Sequence, residues 1–68
     1  MSGRYKYEFQ FNSRGNIRYL IVIDTLTNRY TILASMIIFD GKNDEIYNAD
    51  KTMLKHYKPL MEQYYGIK

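Results

Sequence analysis

The 68-residue chain has no cysteine and no tryptophan, a single proline, a single histidine and only four glycines. Without cysteine there is no disulfide, no thiol nucleophile and no Cys-ligated zinc. The glycines stand alone at positions 3, 15, 41 and 66, so no glycine-rich loop can cradle a phosphate. His56 lacks a nucleophile beside it: Ser2 and Ser13 fall in loop-like segments, Ser35 falls in a strand, and none has a nucleophile-elbow context. It reads as a half-exposed surface histidine. A minimal ribonuclease built on His56, Lys55 and Tyr57 is disfavoured, because adjacent helical residues point about 100° apart. No catalytic residue is assigned.

Long apolar runs are also missing. The longest, Leu20 to Ile23 and Met36 to Phe39, fall far short of the roughly 18 residues a membrane-spanning helix needs. The first six residues contain no apolar run of the signal-peptide type, so a cytoplasmic location is expected, the host cytoplasm if the chain is viral. Asp40, Asp44 and Glu45 surround Gly41-Lys42-Asn43, but the spacing is not that of a calcium loop and Lys42 sits among the acids. That segment reads as a polar loop, with no metal, cofactor or small-molecule substrate.

The chain is nevertheless built to fold as one domain over residues 1–68. Hydrophobic residues make up 46% of it, too many for a disordered segment, and eight are tyrosines. A domain this small buries only about 60% of the surface of its unfolded chain and needs reinforcement. With disulfides excluded, that leaves a packed aromatic core or oligomerisation. Phe, Tyr, Met, Ile, Asn and Lys together make up half of the chain, all with A/T-rich codons. This composition suggests an AT-rich genome, as in low-GC bacteria and their phages.

The hydrophobic pattern predicts an α+β fold: an antiparallel meander of three or four strands over about 4–47, curled if its third strand bends, then one amphipathic helix over about 50–65. From Arg4 to Phe11 apolar and polar residues alternate strictly, with Tyr5, Tyr7, Phe9 and Phe11 on one face. Asn12 to Asn16 reads as a five-residue turn, Ile17 to Asp24 as the second strand and Thr25 to Asn28 as the next turn. A third strand starts near Arg29. Its β-favouring residues run to Phe39, long enough to require a bend or bulge near Ala34-Ser35. Asp40-Gly41 signals a tight turn, so Glu45-Ile46-Tyr47 is expected to pair back as a short fourth strand. Met53, Tyr57, Leu60, Met61 and Tyr64 form one helical stripe, with Asn48 or Asp50 as N-cap, Gly66 at the end and a kink at Pro59.

With a five-residue first turn, Ile17, Tyr19, Ile21 and Ile23 continue the aromatic face, and the helix is expected to cover that face. Leu20 and Val22 then lie on the opposite face beside Arg4, Lys6 and Arg18. Either the sheet curls to bury them, or that face meets a homodimer mate or another protein. The expected function is therefore a non-catalytic binding protein working by protein–protein contact, an inhibitor or accessory factor of phage or mobile-element type. Its partner-binding set is Leu20, Val22, Arg4, Lys6 and Arg18. The alternative is nucleic-acid binding through Arg4, Lys6, Arg14 and Arg18 with the helix stripe Lys51, Lys55 and Lys58, permitted by a net charge of +3.

Overall fold

A computed structural model describes residues 3–67; residues 1, 2 and 68, among them Ser2 and the start of the segment read for a leader, lie outside the described part. Three strands, β1 (Tyr5–Phe11), β2 (Ile17–Asp24) and β3 (Arg29–Ile37), form one antiparallel sheet in the order β1-β2-β3. A helix, α1 (Asn43–Leu60), follows and runs directly into a π-helical turn, Met61–Tyr65. The architecture is α+β, an antiparallel meander with one C-terminal helix. The sheet stays open: its edge strands, β1 and β3, do not pair with each other.

The first hairpin sets which face is buried. Asn12 belongs to the ladder: its N–H donates to the Ile17 carbonyl at 3.0 Å, and its side-chain Oδ1 accepts from the N–H groups of Asn16 and Ile17 at 2.9 and 3.0 Å. Four residues remain in the loop, rather than five. Phe11 therefore faces Arg18, Phe9 faces Leu20 and Tyr7 faces Val22. A one-residue change of register moves every side chain to the other face. The aromatic face of β1 thus continues into Leu20 and Val22, not into Ile21 and Ile23 as the five-residue turn implied.

The single helix covers that face. Leu20, Val22, Met53 and Met61 form the buried cluster, with Leu20 and Val22 only 0% and 2% exposed, and Tyr5, Phe9, Leu33, Ala34, Met36 and Tyr57 pack around it. β3 adapts by a bulge. Leu20 pairs with Ala34 and Ile21 with Ile32, so Leu33 is the extra residue, one position before the bend that the strand's length required. Leu33 and Ala34 consequently both face the helix.

The helix starts earlier than its apolar stripe suggests. Glu45, Ile46 and Tyr47 are helical, not a fourth strand, and Asn48 and Asp50 lie inside α1 rather than at its start. Lys42 occupies the N-cap without a side-chain bond; Glu45, three residues later, reaches back instead. Its carboxylate accepts from the N–H groups of Phe39, Asp40 and Gly41 at 2.7, 3.0 and 3.0 Å. Gly41, at φ +69, takes the left-handed conformation that turns the chain into the helix. After Pro59, which has no N–H to give, the pattern widens into the π turn. This delays the phase by about one residue, so Tyr65 rather than Tyr64 reaches the sheet, its ring 5.0 Å from that of Tyr5. Tyr64 and Leu60, members of the predicted stripe, remain exposed.

Truncating Leu20 to Ala should cost about 2–5 kcal/mol of unfolding free energy, and Leu20→Asp should abolish folding; urea titration followed by circular dichroism measures both.

Candidate protein-binding face

The helix-free side of the sheet presents Ile17, Tyr19, Ile21 and Ile23 from β2. They are flanked by Lys6, Glu8 and Gln10 on β1 and by Tyr30, Ile32, Ser35 and Ile37 on β3. Alternation makes this the more apolar side of the central strand: its other side carries Arg18 and Asp24 as well as Leu20 and Val22. Ile21 is only 3% exposed although no element lies over it, because it sits between Glu8 and Ile32 across the sheet and Tyr19 and Ile23 along its own strand. Toward β3 the face opens. Tyr30, Ile32 and Ile37 are 67%, 51% and 62% exposed, and Phe39 beyond the strand end is more exposed still.

Of the residues expected to bind a partner, Leu20 and Val22 are core positions beneath α1, and Arg18 shares their side. Arg18 grips Asp50 with two parallel bonds, Nε to Oδ1 at 2.8 Å and Nη2 to Oδ2 at 2.9 Å, joining β2 to the middle of the helix. Its guanidinium also lies 4.5 Å from the Phe11 ring centroid and 5.6 Å from that of Phe9. The bonds to Asp50 raise the Arg18 pKa against the cost of its burial. Arg4 is similarly occupied, its Nε and Nη2 bonding the two oxygens of Asp24 at 3.1 and 3.0 Å. That pairing holds the Asp24 carboxyl down at about 2. Lys6 alone of the expected set stands on the open face, 3.9 Å from Glu8.

The remaining cations are dispersed. Arg14 is at the hairpin tip, while Lys51, Lys55 and Lys58 are exposed on α1, Lys58 within 3.9 Å of Glu62. His56 and Lys55 are exposed, while Tyr57 packs against the core cluster with its ring edge-to-face with that of His56, 5.1 Å between centroids. The Asp40, Asp44 and Glu45 cluster serves the helix entry. Asp40 accepts from the Lys42 N–H, Asp44 from the Glu45 N–H, and Glu45 from the three N–H groups described above. Among the described residues no group of histidine, cysteine or acidic side chains is arranged to hold a metal ion. Nor is any helix among them long and apolar enough to cross a membrane.

The open face was missed because its residues were assigned to the core. The available signal was Asn12, a residue suited to closing a turn with its side chain, which shortens the loop by one. No family model matches this chain, and no curated protein or solved structure matches it.

Two carboxyls bear on acid stability. Backbone donors hold Glu45 down from 4.5 to about 2, and Arg4 holds Asp24 down from 3.8 to about 2. A depressed folded-state pKa means that the folded protein resists protonation more than the unfolded chain does. The contribution of these groups is complete above pH 4.5 and is lost as the pH falls toward 2. Unfolding midpoints should therefore drop over that window, and Glu45→Gln should flatten part of the drop. Separately, Asp50→Asn should destabilise by about 1–3 kcal/mol by leaving Arg18 half-buried without its counter-charge, measurable by urea titration at pH 7.

Proposed function

We propose that the protein is a non-catalytic binding module that acts by protein–protein contact through the helix-free face of its sheet. The observation that carries this reading is that the more apolar side of the central strand is the one without a helix. Soluble monomers rarely leave a contiguous apolar patch of more than a few hundred Å² without a use for it. The exposed Tyr30, Ile32 and Ile37 supply the aromatic and aliphatic anchors typical of interface centres, and Lys6, Glu8 and Gln10 supply a polar rim along β1. A surface of this kind acts by occlusion, as an inhibitor or accessory factor does, and the composition fits a phage or mobile-element origin.

Nucleic-acid binding has less support. Arg4 and Arg18, two of the three cations expected to read nucleic acid from the sheet, are neutralised by Asp24 and Asp50, which leaves Lys6, Arg14 and the helix lysines. Neutralising several phosphates from so few dispersed cations gives only a shallow salt dependence.

A comparative pull-down from a low-GC bacterial lysate, with and without nuclease, tests the choice. Wild-type protein should retain a partner that survives nuclease. Tyr19→Lys, a change on the central strand of the open face, should lose it while keeping its circular dichroism spectrum, and Lys51→Glu/Lys55→Glu should keep it. Retention that disappears with nuclease, or with the lysine changes alone, overturns the proposal.

A further inference from the structure

The two edges of the sheet differ. β1 carries Lys6 and Glu8 within its span, the kind of charges that discourage strand pairing. β3 carries none after Arg29: the ten residues Tyr30 to Phe39 are all uncharged, and none is proline. Such an edge leaves a row of N–H and C=O groups available to another strand.

The bulge gives this edge an unusual symmetry. Counting from Arg29 to Ile38, the side chains point toward the helix at 29, 31, 33, 34, 36 and 38 and toward the open face at 30, 32, 35 and 37. The sequence of sides reads the same in both directions about the midpoint between Leu33 and Ala34. In antiparallel pairing of two such strands, one register alone matches helix side to helix side and open side to open side throughout. In that register residue numbers sum to 67: Tyr30 opposite Ile37, Ile32 opposite Ser35, Thr31 opposite Met36 and Leu33 opposite Ala34. The hydrogen-bonding groups agree. The Ile38 N–H points inward to the Asn16 carbonyl at 2.8 Å, so by antiparallel alternation Ser35 and Ile37 point theirs outward. Beyond the bulge, the same alternation turns those of Tyr30 and Ile32 outward as well, so that each outward residue faces another.

Charge completes the match. In this register Arg29, exposed and without an acidic partner among the described residues, falls beside Ile38 of the second copy. There a groove of about 430 Å³ runs between β3 and the start of α1, and it holds Asp40, Asp44 and Glu45. The two-fold axis repeats the contact at the other end, setting both cations against both acidic grooves.

We infer that the occupant of the β3 edge is a second copy of this chain, paired antiparallel about the Leu33–Ala34 midpoint. The result is a six-stranded sheet whose two open faces form one continuous surface. The pairing uses the edge and leaves the face free for another protein, so either can fail without the other.

The purified chain alone provides the test. Sedimentation equilibrium should give twice the monomer mass, falling back toward the monomer in high salt as the Arg29 contacts are screened. Because the chain has no cysteine, cross-linking can report the register. Ile32→Cys/Ser35→Cys should form covalent dimers under mild oxidation, since each new thiol lies opposite the other on the second copy. Within one chain these positions are about 9 Å apart along the strand, beyond the roughly 7 Å a disulfide tolerates. Ser35→Cys/Ile37→Cys, out of register, should form no covalent dimer. Ser35→Pro removes an N–H that β2 does not use and should give a folded monomer; if it does not fold, the exposed Arg29→Glu should weaken dimerisation at least tenfold instead. A monomeric wild type, equal cross-linking of both cysteine pairs, or an undiminished dimer in the folded variant each overturns the inference.

Discussion

Asn12 closes the first hairpin with its backbone and its side chain together, and the orientation of the whole sheet depends on that closure. Its N–H takes the Ile17 carbonyl, while its Oδ1 takes the Asn16 and Ile17 N–H groups, in the manner of one more ladder residue. With an even number of residues left in the loop, odd positions of β1 face even positions of β2. Every later assignment of side follows from that parity: the aromatic residues of β1 meet Leu20 and Val22, Arg18 falls on the helix side, and the isoleucines of β2 face away.

The chosen side places a charge where the core would otherwise be continuous, and the helix compensates. Arg18 is half-buried beneath α1, and Asp50 meets it with two-point geometry while Phe9 and Phe11 flank the guanidinium. A bidentate pair of this kind carries angular information that apolar contacts lack. It fixes the rotation of α1 about its own axis, so that Ala49, Met53, Tyr57 and Met61 point down together. With only one helix available, the opposite side of the sheet is left bare. The apolar residues there follow from a parity set some ten residues away.

Much of this arrangement was legible in the sequence. The alternation from Tyr5 to Phe11, the second strand from Ile17 to Asp24 and the need for an irregularity in the third strand all follow from period and length, and each lies within about a residue of the observed element. Three features were not legible, for different reasons. The side of the sheet depended on a single loop residue, and period-two patterning is indifferent to which of two apolar faces is covered. The helix entry was hidden because Asp40-Gly41 introduces a hairpin or a helix equally well, and Lys42 is not a capping residue. The discriminating signal was Glu45 at the third helical position, with Asp44 before it, acids that suit the start of a helix and have no role in a returning strand. Of the stripe Met53, Tyr57, Leu60, Met61 and Tyr64, the members Met53, Tyr57 and Met61 do face the core, while Leu60 and Tyr64 stay exposed, Tyr64 because the π turn changes the period and brings Tyr65 to the sheet instead.

The bulge at Leu33 links these points to the size of the chain. It exists because the two halves of β3 must both serve the helix side: Thr31 and Leu33 before the break, Ala34 and Met36 after it. A regular strand would carry one half of that set to the open face and weaken a core that has only four buried members in its main cluster. Placed at the middle of the strand, the same irregularity makes the outer edge match its own two-fold image. A bulge ordinarily protects an edge by spoiling its fit to a regular partner, and it does so here for every regular strand. The strand it does not exclude is one with the same bulge at the same place. For a domain with no disulfide and a small core, an edge that rejects regular strands but fits its own copy gains added burial without exposing a general site for aggregation.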